Sequence, residues 1–156
     1  MELHYLSATE ALSMFRKREL SPVELMQAVI ARAEDVNPHV NALCHTFFDQ
    51  AIEQARRAEA RYASRTQEAR PLEGIPLGVK EHEPIAGQPW TSASLINKDD
   101  VADETSCFVQ RMIDAGAIVH ARTTGPEFGA AVLTRSRLWG ATRNPWNLAY
   151  DVGGSS

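Results

Sequence analysis

The sequence predicts an α/β fold. Three observations carry that reading: amphipathic helical patterns fill the first third, an apolar segment at 74–80 ends in a lysine, and a helix–glycine–strand succession runs from Thr105 to Ala121. The first helix opens at Ser7-Ala8-Thr9-Glu10, a capping box, and sets Ala8, Leu12 and Phe15 on one face. The second opens at Ser21-Pro22-Val23-Glu24, with proline at the first helical position, where its missing N–H costs nothing. Val23, Met26, Ile30 and Ala33 then recur at spacings of three and four, and the pattern ends near Asn37-Pro38. Val40 to Phe48 reads as a short strand, and Ala51, Ala55, Ala58 and Tyr62 share the apolar face of a third helix.

Residues 66–73 read as an exposed connection, and Gly74-Ile75-Pro76-Leu77-Gly78-Val79-Lys80 as a buried strand ending in a cation. Pro84, Gly87 and Pro89 mark a loop from Pro84 to Ser94. Thr105 to Ala115 suits a helix that pairs Phe108 with Met112, and Gly116 stands where a left-handed residue ends it. Ile118-Val119-His120-Ala121 follows at once as an apolar strand. The organisation expected is one domain over 1–156, with a mainly helical layer at 1–66 and the α/β part at 72–156.

Composition narrows the function. With 44% hydrophobic and 23% charged residues among 156, the chain has ordinary globular content. Sixteen basic against 20 acidic residues give a net charge of −4, without the basic excess of a nucleic-acid or polybasic membrane binder. Cys44 and Cys107 are too few for a disulfide framework and read as reduced thiols. The opening residues do not pattern as a signal peptide, and no apolar run approaches the ~20 residues of a membrane span, so a soluble cytoplasmic protein is expected.

Phosphate-cradling GxGxxG and GxxxxGK[ST] loops and the G-x-S-x-G elbow are absent. Glu81-His82-Glu83 contains the H-x-E of zinc deaminases without the P-C-x-x-C that completes their metal site. The histidines His4, His39, His45, His82 and His120 show no metal-ligand spacing and read as surface or core residues. Lys80 has two readings: an ammonium that snorkels to water, or a desolvated neutral amine that serves as a general base. A free lysine is only about one part in 2,500 neutral at pH 7, so the second reading demands an enforcing environment. Gly153-Gly154-Ser155-Ser156, taken alone, reads as a flexible linker.

Together these segments resemble the amidase signature family. The resemblance is carried by Gly74 to Lys80, Ala86-Gly87 with Thr91-Ser92-Ala93-Ser94, and Ala115-Gly116-Ala117-Ile118-Val119. It continues through Thr123-Thr124-Gly125-Pro126-Glu127-Phe128, Trp139-Gly140-Ala141-Thr142-Arg143-Asn144-Pro145-Trp146 and Gly153-Gly154-Ser155-Ser156. It implies a three-layer α/β/α fold with a mixed central sheet, here only its N-terminal part, with the N-terminal helices packed on the sheet. It further implies a Ser-Ser-Lys amide hydrolase in which Lys80 is the base and Ser155 the bridging serine. The acyl-forming serine and the oxyanion donors would come from a later Gly-Gly-Ser segment. No metal or organic cofactor is implied; the expected partners are a small-molecule amide, a second copy in a homo-oligomer, and the remaining C-terminal segment. Two departures stand out: Glu81-His82-Glu83 replaces the common Asp-Asn beginning, and Gly125 replaces a larger residue. Both fall near the implied cleft and bear on substrate choice.

Two other functions compete. One is the glutamine-dependent amidotransferase A subunit, which acts with a partner protein on mischarged tRNA. The other is a non-catalytic piece that binds a second chain, since a fold cut at Ser156 would expose an apolar sheet face.

Overall fold

A computed structural model describes residues 2–64, 66 and 68–153. They group into two units whose segments alternate along the chain: Met1–Asp35, Phe47–Leu77 and Arg111–His120 form the first, and Val36–Thr46, Gly78–Gln110 and Ala121–Ser156 the second.

Helix α1 (Ala8–Lys17) starts as the sequence predicts. The Ser7 hydroxyl accepts from the Glu10 N–H, and the Glu10 carboxylate accepts from the Ser7 N–H. It stops at Arg18, which takes the left-handed conformation with φ 60°. Helix α2 (Pro22–Val40) realises only half of its expected box. Glu24 accepts from the Ser21 N–H at 2.8 Å, but the Ser21 hydroxyl donates to Glu59 and accepts from the Val23 N–H instead. The helix also runs past the expected stop and contains Pro38. A proline this close to the C-terminus removes a single N–H from the ladder. Asn37 then closes the end, its Oδ1 accepting from the N–H groups of Ala42 and Leu43, both at 2.8 Å.

Helix α3 (Phe48–Ala63) buries the stripe Ala51, Ala55 and Ala58. The core of the first unit follows from these faces. Leu12, Phe15, Leu20 and Leu25 pack with Tyr62, Leu72 and Ile75, while Met26, Ala51, Ala55 and Ile118 form a second cluster. Each large apolar side chain buried this way contributes roughly 1.5–3 kcal/mol. Glu73 is buried in this unit, held by Arg70 Nε at 2.7 Å, Arg70 Nη2 at 2.9 Å and Arg61 Nε at 3.2 Å. Gly116 has φ +104°, and a Cβ there would lie 2.7 Å from the Glu73 Cα, so both backbone and space require glycine.

The three-stranded sheet has the order β1-β3-β2. Strand β1 (Leu43–Thr46) pairs antiparallel with β3 (Ile118–Thr123), Leu43 opposite Thr123 and Thr46 opposite Ala121. Strand β2 (Pro76–Lys80) is joined to β3 through helix α4 (Cys107–Asp114). Ile118 N–H bonds the Ile75 carbonyl and Glu81 N–H the Thr123 carbonyl, so β2 and β3 run the same way and the sheet is mixed. Strand β2 is less buried than its composition predicts: Val79 is buried but Gly78 is exposed. The reason is its place at the edge of the described sheet, with β3 as its one neighbour.

Further along, β4 (Arg135–Ser136) pairs with β5 (Gly140–Ala141), and β6 (Arg143–Asn144) with β7 (Asn147–Asp151). Asp151 takes ion pairs from Arg135 at 2.9 Å and Arg143 at 3.5 Å. Among the described residues no helix is long and apolar enough to cross a membrane.

Candidate active site

Lys80 closes β2 with its side chain half-buried. Its main chain is gripped by Arg122, which is fully buried near the end of β3. Arg122 Nη2 donates to the carbonyls of Lys80 at 3.2 Å and Glu81 at 3.1 Å, and also to that of Glu83. Nη1 donates to Gln88 Oε1 at 3.1 Å and to the Pro89 carbonyl at 3.4 Å. The planar guanidinium offers five N–H groups, which suits it to gather carbonyls that a lysine could not reach together. Burial lowers its pKa, and the nearby Glu81 charge opposes that most strongly. Among the described residues, the Lys80 amine has neither a hydrogen-bond acceptor nor a carboxylate paired with it.

Glu81, the next residue, is also fully buried. Its carboxylate accepts from the Thr91 N–H, from the Thr91 hydroxyl at 2.6 Å and from the Ala93 N–H at 3.0 Å. A buried carboxylate would otherwise be costly, and these donors compensate it. They also hold the Thr91–Ser94 loop in an unusual form, with Ser92 and Ala93 both left-handed at φ 51° and 54°. Two such residues in succession cost of order 1–3 kcal/mol each. The loop is clasped from its other side: Ser94 Oγ donates to Glu127 Oε1 at 2.7 Å, and the Ser92 carbonyl accepts from the Phe128 N–H at 2.9 Å.

His82 faces the Thr124–Pro126 segment. Its Nε2 lies 2.8 Å from the Pro126 carbonyl, which can only accept, so Nε2 carries the hydrogen. Nδ1 is buried and has no hydrogen-bond partner among the described residues. A Cβ built on Gly125 would lie 2.3 Å from His82 Cε1, 2.6 Å from Nδ1 and 3.3 Å from Lys80 Cε. The imidazole therefore occupies space that any side chain at 125 would claim, directly beside the lysine stem.

The Trp139–Trp146 block is tied to this unit by hydroxyls and an asparagine. Thr142 Oγ1 lies 2.6 Å from Thr124 Oγ1 and donates to the Asn41 carbonyl at 2.8 Å, while Asn41 Nδ2 donates to the Trp139 carbonyl at 2.7 Å. The Val152 N–H bonds the Thr142 carbonyl at 3.1 Å, and Gly153 bridges to Leu133, so the last described residues run beside the block. Ser155 lies outside the described residues.

The residues alone brought forward Lys80 as a strand-end cation; the resemblance assigned Ser155 and marked Glu81-His82-Glu83 and Gly125 as departures. Neither brought forward Arg122, because all but one of its partners are backbone carbonyls that no side-chain pattern marks. The one available signal is a cation following an apolar strand segment, which the fold places at the centre of the three-stranded sheet.

A family model described as Amidase matches residues 24–156. An acylamidase of Rhodococcus erythropolis is 38% identical over 158 aligned positions, which take in 99% of this chain and 32% of that protein. The A subunit of a glutamyl-tRNA(Gln) amidotransferase from Trichormus variabilis is 36% identical over 140, covering 90% of this chain and 29% of the relative. Among solved structures, a bacterial aryl acylamidase of the amidase signature enzymes superposes with a TM-score of 0.91 at 28% identity, over 100% of this chain and 32% of that one. The chain thus spans about a third of the length of the curated relatives it matches.

Proposed function

Since the chain belongs to the amidase signature family, we propose that it is the N-terminal part of an amide hydrolase, with Lys80 as base and Ser155 as proton shuttle. The nucleophilic serine and the oxyanion donors are supplied by a further segment, for which the greater length of the relatives leaves room. The observation that carries this reading is the treatment of Lys80. Its peptide is fixed by a buried guanidinium, yet its amine is left without an acceptor or counter-ion among the described residues.

In the reaction, neutral Lys80 takes the Ser155 hydroxyl proton while Ser155 takes that of the nucleophile, which attacks the amide carbonyl. As the tetrahedral adduct collapses, the protons return along the same path to the leaving nitrogen. The C–N bond breaks, ammonia or an amine departs, and an ester to the nucleophile remains. Water enters by the same base, giving a carboxylic acid and the free serine. Small amides are the substrate class. The relay predicts that Lys80→Ala and Ser155→Ala in the full-length protein each lower kcat for amide hydrolysis by about 10²–10⁴-fold. Unchanged turnover in Lys80→Ala overturns the reading.

The 36% identity to an amidotransferase A subunit supports a second reading, in which the same relay releases ammonia from glutamine for a partner protein. Purification from the native cell separates the two. A stable heteromer favours the amidotransferase, and a self-sufficient homo-oligomer favours the hydrolase.

A further inference from the structure

We infer that His82 is a positioning residue for Lys80, its Nδ1 accepting a hydrogen bond from the lysine amine, and that Gly125 is the vacancy that admits the imidazole. The inference rests on Lys80 acting as the base. Two halves of one interaction meet at the same point. With Nε2–H committed to the Pro126 carbonyl at 2.8 Å, the neutral ring carries its lone pair on Nδ1, which is buried and unpartnered among the described residues. The lysine amine is a donor without an acceptor there, and its Cε lies 3.3 Å from the position of a Gly125 Cβ that is itself 2.6 Å from Nδ1. The lysine stem and Nδ1 thus border the same space, that of one absent methyl group at position 125.

The consequence for proton transfer is directional. A neutral amine has two N–H groups and one lone pair. Donating one hydrogen to Nδ1 fixes the nitrogen while leaving the lone pair free for the Ser155 proton. Once that proton arrives, the ammonium keeps an N–H on Nδ1, now a stronger charge-assisted bond. Towards the amine the imidazole acts only as an acceptor; it holds the base in aim through both halves of the transfer. Gly125 belongs to the same device. No positive φ demands glycine at this position, whereas a Cβ would sit 2.3 Å from Cε1 of the ring.

The test uses the full-length protein with p-nitroacetanilide and acetamide, read as nitroaniline and ammonia release. His82→Phe keeps a ring and removes the acceptor; kcat is expected to fall at least tenfold with KM within threefold. His82→Asn restores an acceptor oxygen and is expected to recover most of the loss. Gly125→Ala, which keeps every atom of the imidazole but displaces it, should reproduce the kcat defect, and it carries the test should His82→Phe not fold. A kcat within twofold of wild type in His82→Phe or Gly125→Ala overturns the inference, as does a defect that His82→Asn fails to relieve at unchanged Tm. Lys80→Ala run in parallel separates the levels. If it is inactive while His82→Phe is unaffected, only the role of His82 fails. If Lys80→Ala retains activity, or wild type turns over neither amide, the base assignment fails first.

Discussion

Arg122 donates to the carbonyl oxygen of Lys80 at 3.2 Å, so a fully buried cation holds the peptide of the residue assigned as base. The same guanidinium reaches the carbonyls of Glu81 and Glu83, and the neighbouring Glu81 carboxylate fixes the Thr91–Ser94 loop from within. Two buried charges thus lock the end of β2 and the loop beside it. A strand end carrying a general base has to be rigid, because misplacement of about 1 Å can cost two orders of magnitude in rate.

Arg122→Met fills much of the same volume but removes every donor. It strands the carbonyls of Lys80, Glu81, Glu83 and Pro89 and the Gln88 side-chain oxygen, and takes a positive charge from the neighbourhood of Glu81. Removing one member of a buried charged network costs about 3–5 kcal/mol, and urea denaturation is expected to show a loss of that size. Arg122→Lys keeps the charge but not the planar fork, and should recover only part of it. A stability within about 0.5 kcal/mol of wild type for Arg122→Met, the size of an ordinary surface substitution, would show that the network is ornamental.

Glu73 makes stability depend on acid. Burial alone would raise its carboxyl pKa, but hydrogen bonds from Arg70 and the charges of Arg70 and Arg61 outweigh burial and hold it below the ordinary 4.5. A group whose folded-state pKa is depressed contributes stability that is fully present above its unfolded value and is lost as pH falls through the folded one. Stability should therefore decline below about pH 4.5. Glu73→Gln is expected to be destabilised by a few kcal/mol at neutral pH and to show a shallower acid limb. Thermal melts of both proteins from neutral pH into acid check this; parallel curves would contradict it.

How far residues alone reveal this molecule depends on the range of the interaction. The helices α1 to α3 were legible because a 3.6-residue period is local, and their caps are written within four residues. The place of Lys80 at a strand end was legible because the apolar segment it closes is contiguous, whereas the role proposed for it came from the resemblance. The Arg122 grip was not legible, since its partners lie 33 to 42 positions away and all but one are main-chain oxygens shared by every residue type. His82 and Gly125 each stood out as departures, but only the fold shows that one occupies the space of the other. Pro38 misled for the opposite reason: a strong local stop signal is overridden where the helix has only a few residues left to run and Asn37 satisfies the end.

The 156-residue chain by itself is expected to hydrolyse no amide. In the relay proposed above Lys80 and Ser155 serve as base and shuttle, and a relay without a nucleophile moves no acyl group. Ammonia release from acetamide should equal the buffer blank with the isolated chain, and should appear when the full-length protein is supplied. Turnover by the isolated chain that disappears in Lys80→Ala would mean that the nucleophile lies within these residues.

Cys44 and Cys107 should differ sharply towards thiol reagents. The Cys44 thiol is pushed up to about 12, first by burial and then by the Glu81 charge, while Arg122 opposes both. Its Sγ also lies 3.5 Å from the Arg122 carbonyl, so the site favours the thiol form. Because only the thiolate attacks, Cys44 should be close to inert at neutral pH. Cys107 is exposed at the start of α4. Timed alkylation with iodoacetamide, followed by peptide mass spectrometry, is expected to label Cys107 at least about a hundredfold faster. In urea the two rates should converge as the burial that protects Cys44 is lost. Glu81→Gln removes the charge that disfavours the thiolate, and so should accelerate Cys44 selectively while leaving Cys107 as it was. Equal labelling of the two cysteines in the folded protein would refute the burial of Cys44 beside the Glu81 charge.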